Sequence, residues 1–114
     1  MRVMELRLGY ARAEMMVTPQ HMNAVGIVQG GAVFTLADLA FAAASNSHGV
    51  VAVACQADIT FFKATKTGRL TAVAEEVSRS RSLSTCVVRV LDDADVLVAL
   101  FKGVAFIKGT PLPA

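Results

Sequence analysis

Asn23-Ala24-Val25-Gly26-Ile27-Val28-Gln29-Gly30-Gly31 leads into a run, residues 32–44, that is apolar except for Thr35 and Asp38. A helix without a polar face is a buried helix. Thirteen residues are too few to cross a bilayer, so the run is expected to be buried in protein. Gly30 and Gly31 stand where that helix should begin. The first N–H groups of a helix lack partners there, and the dipole is positive. Two glycines let a ligand approach the backbone closely. Asp38 is the only Asp, Glu, Lys or Arg between Glu14 and Asp58. A lone acid on a buried helix needs a partner or a task, because an unpaired buried charge is costly.

The 114 residues suit a single domain over residues 1–114. The chain is 54% hydrophobic, with mean hydropathy +0.54. That is more apolar surface than so small a core readily hides, and burial against a second copy is the expected remedy. The net charge of +2 and the lack of an aromatic-basic motif argue against nucleic acid. Cys55 and Cys86 lie in strand-like apolar runs and read as buried free thiols in a reducing cytoplasm. The N-terminus shows no continuous apolar signal core, and no membrane partner is expected.

Strand alternation opens the chain over residues 5–17, with a slip that a bulge near Gly9 or Ala11 would explain. Loop follows over 21–31, then the helix, which a tail ending in His48 and Gly49 should stop. Further strands are expected over 50–63, 69–77, 83–91 and 96–107, with the tail from Gly109 frayed. Short connections favour antiparallel neighbours. The class is therefore α+β: one helix wrapped by a curved sheet.

Several residues could carry chemistry, each with two readings. The Gly30 or Gly31 N–H could stabilise an oxyanion, or the glycines could merely let the chain enter a crowded core. Asp38 could be a general base or a nucleophile, or a structural acid bonded to Thr35. Asn23 could hold a carbonyl or a water, or close an Asx turn. Arg79 and Arg81 could grip phosphate, or be ordinary hairpin arginines. His21 and His48 lack a third ligand at metal-like spacing. Asp92, Asp93 and Asp95 lack the glycine and distal Glu of a calcium loop. No metal and no cofactor is expected.

The quoted stretch, with Leu36-Ala37-Asp38-Leu39-Ala40, resembles the signature of the hotdog-fold thioesterases of the phenylacetate-degradation (PaaI) type, roughly N-x-x-G-x-x-H-G-G followed by L-x-D-x-A. The likeness continues through Asp58-Ile59-Thr60-Phe61. It implies a hotdog fold with a five- or six-stranded antiparallel sheet, homodimers and often homotetramers, and hydrolysis of acyl-CoA thioesters without metal or cofactor. It assigns Asn23, Gly30 and Asp38 to holding water or substrate, polarising the carbonyl and supplying the carboxylate. Two departures stand out. Gln29 replaces the usual His and can donate one hydrogen bond but cannot be cationic. Ala54 stands where some relatives place Ser or Thr.

The expected function is thus hydrolysis of acyl-CoA, with Asp38, Gly30, Asn23 and Gln29 catalytic. Gly31, Lys63, Arg79 and Arg81 would bind substrate, the three cations at coenzyme A phosphates. The alternative is a non-catalytic acyl-CoA binder. Gly30 and Asp38 are eight residues apart, about 12 Å along a helix. Each must come within about 3 to 3.5 Å of one carbonyl. The site is therefore expected to be shared between two chains.

Overall fold

The computed structural model describes residues 1–113. One helix, α1 (Gly30–Ser45), packs on a six-stranded antiparallel sheet. The strands are β1 (Arg2–Arg7), β2 (Tyr10–Met16), β3 (Val50–Phe61), β4 (Arg69–Arg79), β5 (Leu83–Leu91) and β6 (Leu97–Pro111). Their order across the sheet is β1-β2-β4-β5-β6-β3. A 3-10 turn, Pro19–His21, precedes the glycine loop.

The core is a seam of small residues. Ala32, Ala37, Ala40 and Ala44 of α1 meet Ala11, Ala13, Ala72, Ala74, Ala99 and Ala105 of the sheet, all buried. Short side chains on both surfaces let the helix lie close to the sheet. Larger groups fill the centre. Phe101 stands edge-on to Phe34 at 5.3 Å and tilted to Phe41 at 5.6 Å. Gly103 is glycine because Phe41 lies over it: a Cβ there would sit 2.8 Å from three ring carbons.

The structure corrects the expectation in five places. The opening segment is two strands and not one with a bulge. The chain reverses at Leu8-Gly9, Gly9 has φ +68°, and Arg7 pairs with Tyr10. The slip in alternation was the reversal itself. The helix ends at Asn46, whose side-chain amide donates to the Ala42 and Ala52 carbonyls while its oxygen accepts the Ala52 N–H. Gly49, with φ +83°, lies three residues further on. The tail is ordered into the sheet: β6 runs to Pro111, opposite Val50, and the Leu112 N–H reaches the Gly49 carbonyl at 2.9 Å. Cys55 is exposed, and only Cys86 is buried. Finally, α1 is not covered all round. Gly31, Thr35 and Ala42 are exposed and Asp38 is half-buried, so one stripe of the helix stays open.

Candidate active site

The loop before α1 is built by its own backbone. The Asn23 N–H bonds the Ile27 carbonyl at 2.8 Å, and the Gly26 N–H bonds the Asn23 carbonyl at 3.1 Å. Gly26 takes φ +79°, which glycine adopts without strain. The Asn23 side-chain oxygen accepts the N–H groups of Val25 (3.0 Å) and Ile27 (3.3 Å). This is an Asx turn, and it also orients the amide: with the oxygen committed, the NH2 group remains as a donor. The loop is pinned at both ends. The Gln29 N–H bonds the His21 carbonyl and the Val28 N–H bonds the Thr65 carbonyl, each at 2.8 Å.

The helix then starts at Gly30 with no side-chain cap. Among the described residues the N–H groups of Gly30 and Gly31 have no hydrogen-bond partner, while those of Ala32 and Val33 return to the Gln29 carbonyl. Two free donors at the positive end of a sixteen-residue helix suit a negative oxygen. Gly30, but not Gly31, lines a cavity of about 370 Å³. Asn23, Gly30 and Lys63 line it beside an apolar wall that includes Val28, Val33, Phe61, Phe62 and Val98. Among the described residues no Asp, Glu or His lines it. The cavity can hold an apolar group and polarise an oxygen, but carries no base of its own.

The remaining expected residues lie elsewhere. Asp38 is on the open stripe of α1, outside the cavity, and makes no hydrogen bond or ion pair among the described residues. Thr35 is not its partner: the Thr35 hydroxyl donates to the Gly31 carbonyl at 2.7 Å. Gln29 is exposed, with its amide oxygen beside Gly31 and not in the cavity. Lys63 lies at the cavity but is tied to Asp92, whose carboxyl that contact holds below its usual range. The Asp92 carboxylate also accepts the N–H groups of Ala94 and Val96, so the acidic turn is closed on itself.

Arg79 is at the opposite end of α1 from Gly30. It bonds Glu76 at 3.0 Å and reaches the Ser45 carbonyl at 3.4 Å. Glu76 is nearly enclosed and also accepts from Ser84 and from His48. Burial pushes its carboxyl up, but those three partners together hold it below the ordinary value. Arg81 is exposed in the next turn, without a partner among the described residues.

Comparison with known proteins fits this geometry. Residues 25–99 match the thioesterase superfamily. The chain belongs to that superfamily. It is a thioester hydrolase of the PaaI type, with the hotdog arrangement of one helix against a six-stranded antiparallel sheet. A putative esterase of Archaeoglobus fulgidus is 44% identical over 106 residues, covering 92% of this chain and 69% of the relative. The acyl-coenzyme A thioesterase PaaI of Escherichia coli is 36% identical over 96 residues, covering 83% and 69%. A solved structure of the E. coli PaaI protein superposes with TM-score 0.93 at 32% identity, over 97% of this chain and 81% of that one. A Streptococcus mutans protein solved with acetyl CoA superposes with TM-score 0.92 at 25% identity, over 97% and 90%.

Sequence reasoning found the loop and the helix start because glycine and asparagine signal them directly. It missed Phe61, Phe62 and Thr65. Phe61 and Phe62 fell within the strand expected over 50–63, and nothing in strand alternation says that the core opens beside Gly30.

Proposed function

We propose that this chain hydrolyses acyl-CoA thioesters at a site to which two copies contribute. One observation carries the reading. The cavity at Gly30 has oxyanion donors and no acid, while the only acid of α1 stands unpaired on the open stripe. Gly30 and Asp38 are about 12 Å apart along the axis, too far to act on one carbonyl. An antiparallel helix of a second copy would bring its Asp38 opposite this Gly30, and a two-fold axis makes two such sites. The name of the E. coli relative and the acetyl CoA in the S. mutans structure support acyl-CoA as the substrate.

In this reading the thioester oxygen receives the Gly30 N–H and the Asn23 amide, which stabilise the negative charge that develops on it. Asp38 of the second copy takes a proton from water as the water attacks the acyl carbon, or attacks that carbon itself to form an anhydride that water then hydrolyses. Coenzyme A then leaves as thiolate, and the free acid is released. The same pairing brings the C-terminal end of the second helix, with Arg79 and Arg81, toward the first cavity. There Arg81 and Lys63 meet coenzyme A phosphates, Arg79 staying bound to Glu76 and setting the local charge.

Complementation tests the arrangement. Asp38→Asn and Asn23→Ala are each expected to be nearly inactive on a panel of acyl-CoAs with free thiol followed over time. When the two are unfolded and refolded together, random pairing makes half of the dimers mixed. Each mixed dimer has one site with both defects and one with neither, so activity returns to about a quarter of native. A mixture shown by mass spectrometry to contain mixed dimers, yet as inactive as its parents, overturns the shared site.

A further inference from the structure

The geometry points to Phe61 as the residue that selects the acyl group, by excluding branching at the carbon next to the thioester carbonyl. The inference rests on the acyl-CoA reading and adds to it the shape of substrate that the site accepts.

Phe61 is the last residue of β3 and pairs with Ala99. The next two N–H groups, of Phe62 and Lys63, both bond the Val98 carbonyl at 2.8 and 3.3 Å. The backbone beneath the ring is therefore held. The ring lies against the helix start: a Cβ on Gly30 would be 3.1 Å from Cζ and 3.5 and 3.6 Å from the two Cε atoms. An ordinary side chain at Gly30 would have to displace it. Yet the ring is not core. It is 50% exposed, and it takes no part in the aromatic cluster of Phe34, Phe41 and Phe101. A large apolar group left half in water at a cavity wall has surface that a ligand can cover.

Its position decides which part of the ligand that is. An oxyanion sits about 2.7–3.1 Å from its donor nitrogen. With that oxygen on the Gly30 N–H, the carbonyl carbon lies one bond further and the α-carbon two. The ring touches the same glycine, so the acyl atoms that meet it are the α-carbon and its substituents. A straight chain has two hydrogens there and can slide along the ring face into the apolar wall of Val33, Phe62 and Val98. An α-methyl points into the ring or forces the carbonyl off the donors.

The test compares two isomers of equal size and composition, butyryl-CoA and isobutyryl-CoA. The native protein should favour butyryl in kcat/KM by about tenfold or more, the order that one misplaced methyl costs in a fitted apolar pocket. Phe61→Ala should bring the ratio to within about twofold of one, and Phe61→Leu to an intermediate value. Unchanged thermal melts of both variants show that the fold is intact. Binding of the two matching ketone analogues, with a methylene replacing the thioester sulfur, is read by calorimetry in parallel. A ratio that stays the same in Phe61→Ala while both rates fall alike overturns the selection but leaves hydrolysis standing. Absent turnover, with the analogue preference present and lost in Phe61→Ala, sinks hydrolysis and leaves the selection standing.

Discussion

Gly30→Ala should separate stability from activity. Gly30 has helical geometry, with no positive φ, so alanine fits its backbone. Replacing a helical glycine by alanine stabilises by about 0.5–1 kcal/mol. Against this stands the new Cβ, 3.1 Å from Cζ of Phe61, a contact a few tenths of an ångström too tight. The ring has to give by a few tenths of an ångström on a backbone held at the Val98 carbonyl, a cost of the same order as that gain. The two effects nearly cancel, and the melting temperature should move by no more than about 3 °C for a domain of this size. Activity should behave otherwise. The N–H survives, but a methyl group now stands at the cavity wall and the ring has moved. Misplacing a reacting group by about 1 Å costs on the order of 10²-fold. Thermal unfolding and acyl-CoA hydrolysis on one preparation make the comparison. A variant that keeps both its stability and its turnover within about threefold would refute the close approach of the reacting carbonyl to the Gly30 Cα and the Phe61 ring.

Gly103→Ala should do the reverse. Its Cβ would lie 2.8 Å from three carbons of the fully buried Phe41 ring, which has nowhere to go. Overpacking of this kind costs about 1–3 kcal/mol, read as a fall in the urea midpoint. Glu76→Gln removes the charge that Ser84, His48 and Arg79 share and should cost about 2–4 kcal/mol at neutral pH. Because the folded carboxyl lies below its ordinary 4.5, the native contribution is complete above that value and is lost as pH falls through the folded pKa. The gap between native and variant urea midpoints should therefore be widest near neutrality and close in acid. An equal gap at both ends would show that the carboxylate's charge is not what stabilises.

What was legible in the sequence had a local chemical signal. The glycine pair announced the helix start, Asn23 announced the turn, and the alternation around Ile59 announced β3. What was hidden depended on contacts distant in sequence. Leu8-Gly9 is not a strong turn pair, and the reversal there is set by pairing of β1 with β2. Gly109 and Pro111 look like chain-end residues, yet Val50 holds the tail in register. Cys55 looked buried because alternation tells which face points to a core, not whether an element lies over that face. Asp38 was legible as unusual, but its lack of a partner could only be seen once Thr35 was found bonded to Gly31. Arg79 and Arg81 sit two residues apart, and only the fold shows that Glu76 takes one and leaves the other exposed.

The two edges of the sheet argue for where a second copy belongs. An exposed edge strand offers unpaired N–H and C=O groups to any other strand, and proteins blunt such edges with charge, proline, bulges or short length. The β1 edge is blunted: it has six residues, and Arg2, Glu5 and Arg7 stand on it. The β3 edge is not. It runs twelve residues without Pro or Lys, its one carboxylate is Asp58, and residues 53–58 are all exposed although β6 pairs along the other side. The open stripe of α1 carries Gly31, Thr35 and Ala42, small enough for another helix to approach. An antiparallel pairing of β3 with its own copy would complete the hydrogen bonds of that edge. The same two-fold would set the open stripes of the helices against each other. In the proposed dimer this pairing carries an unpaired Asp38 toward a cavity that has donors and no base. Edge, stripe and cavity thus bear on the same proposal, and the proposed active site and the proposed dimer stand or fall together.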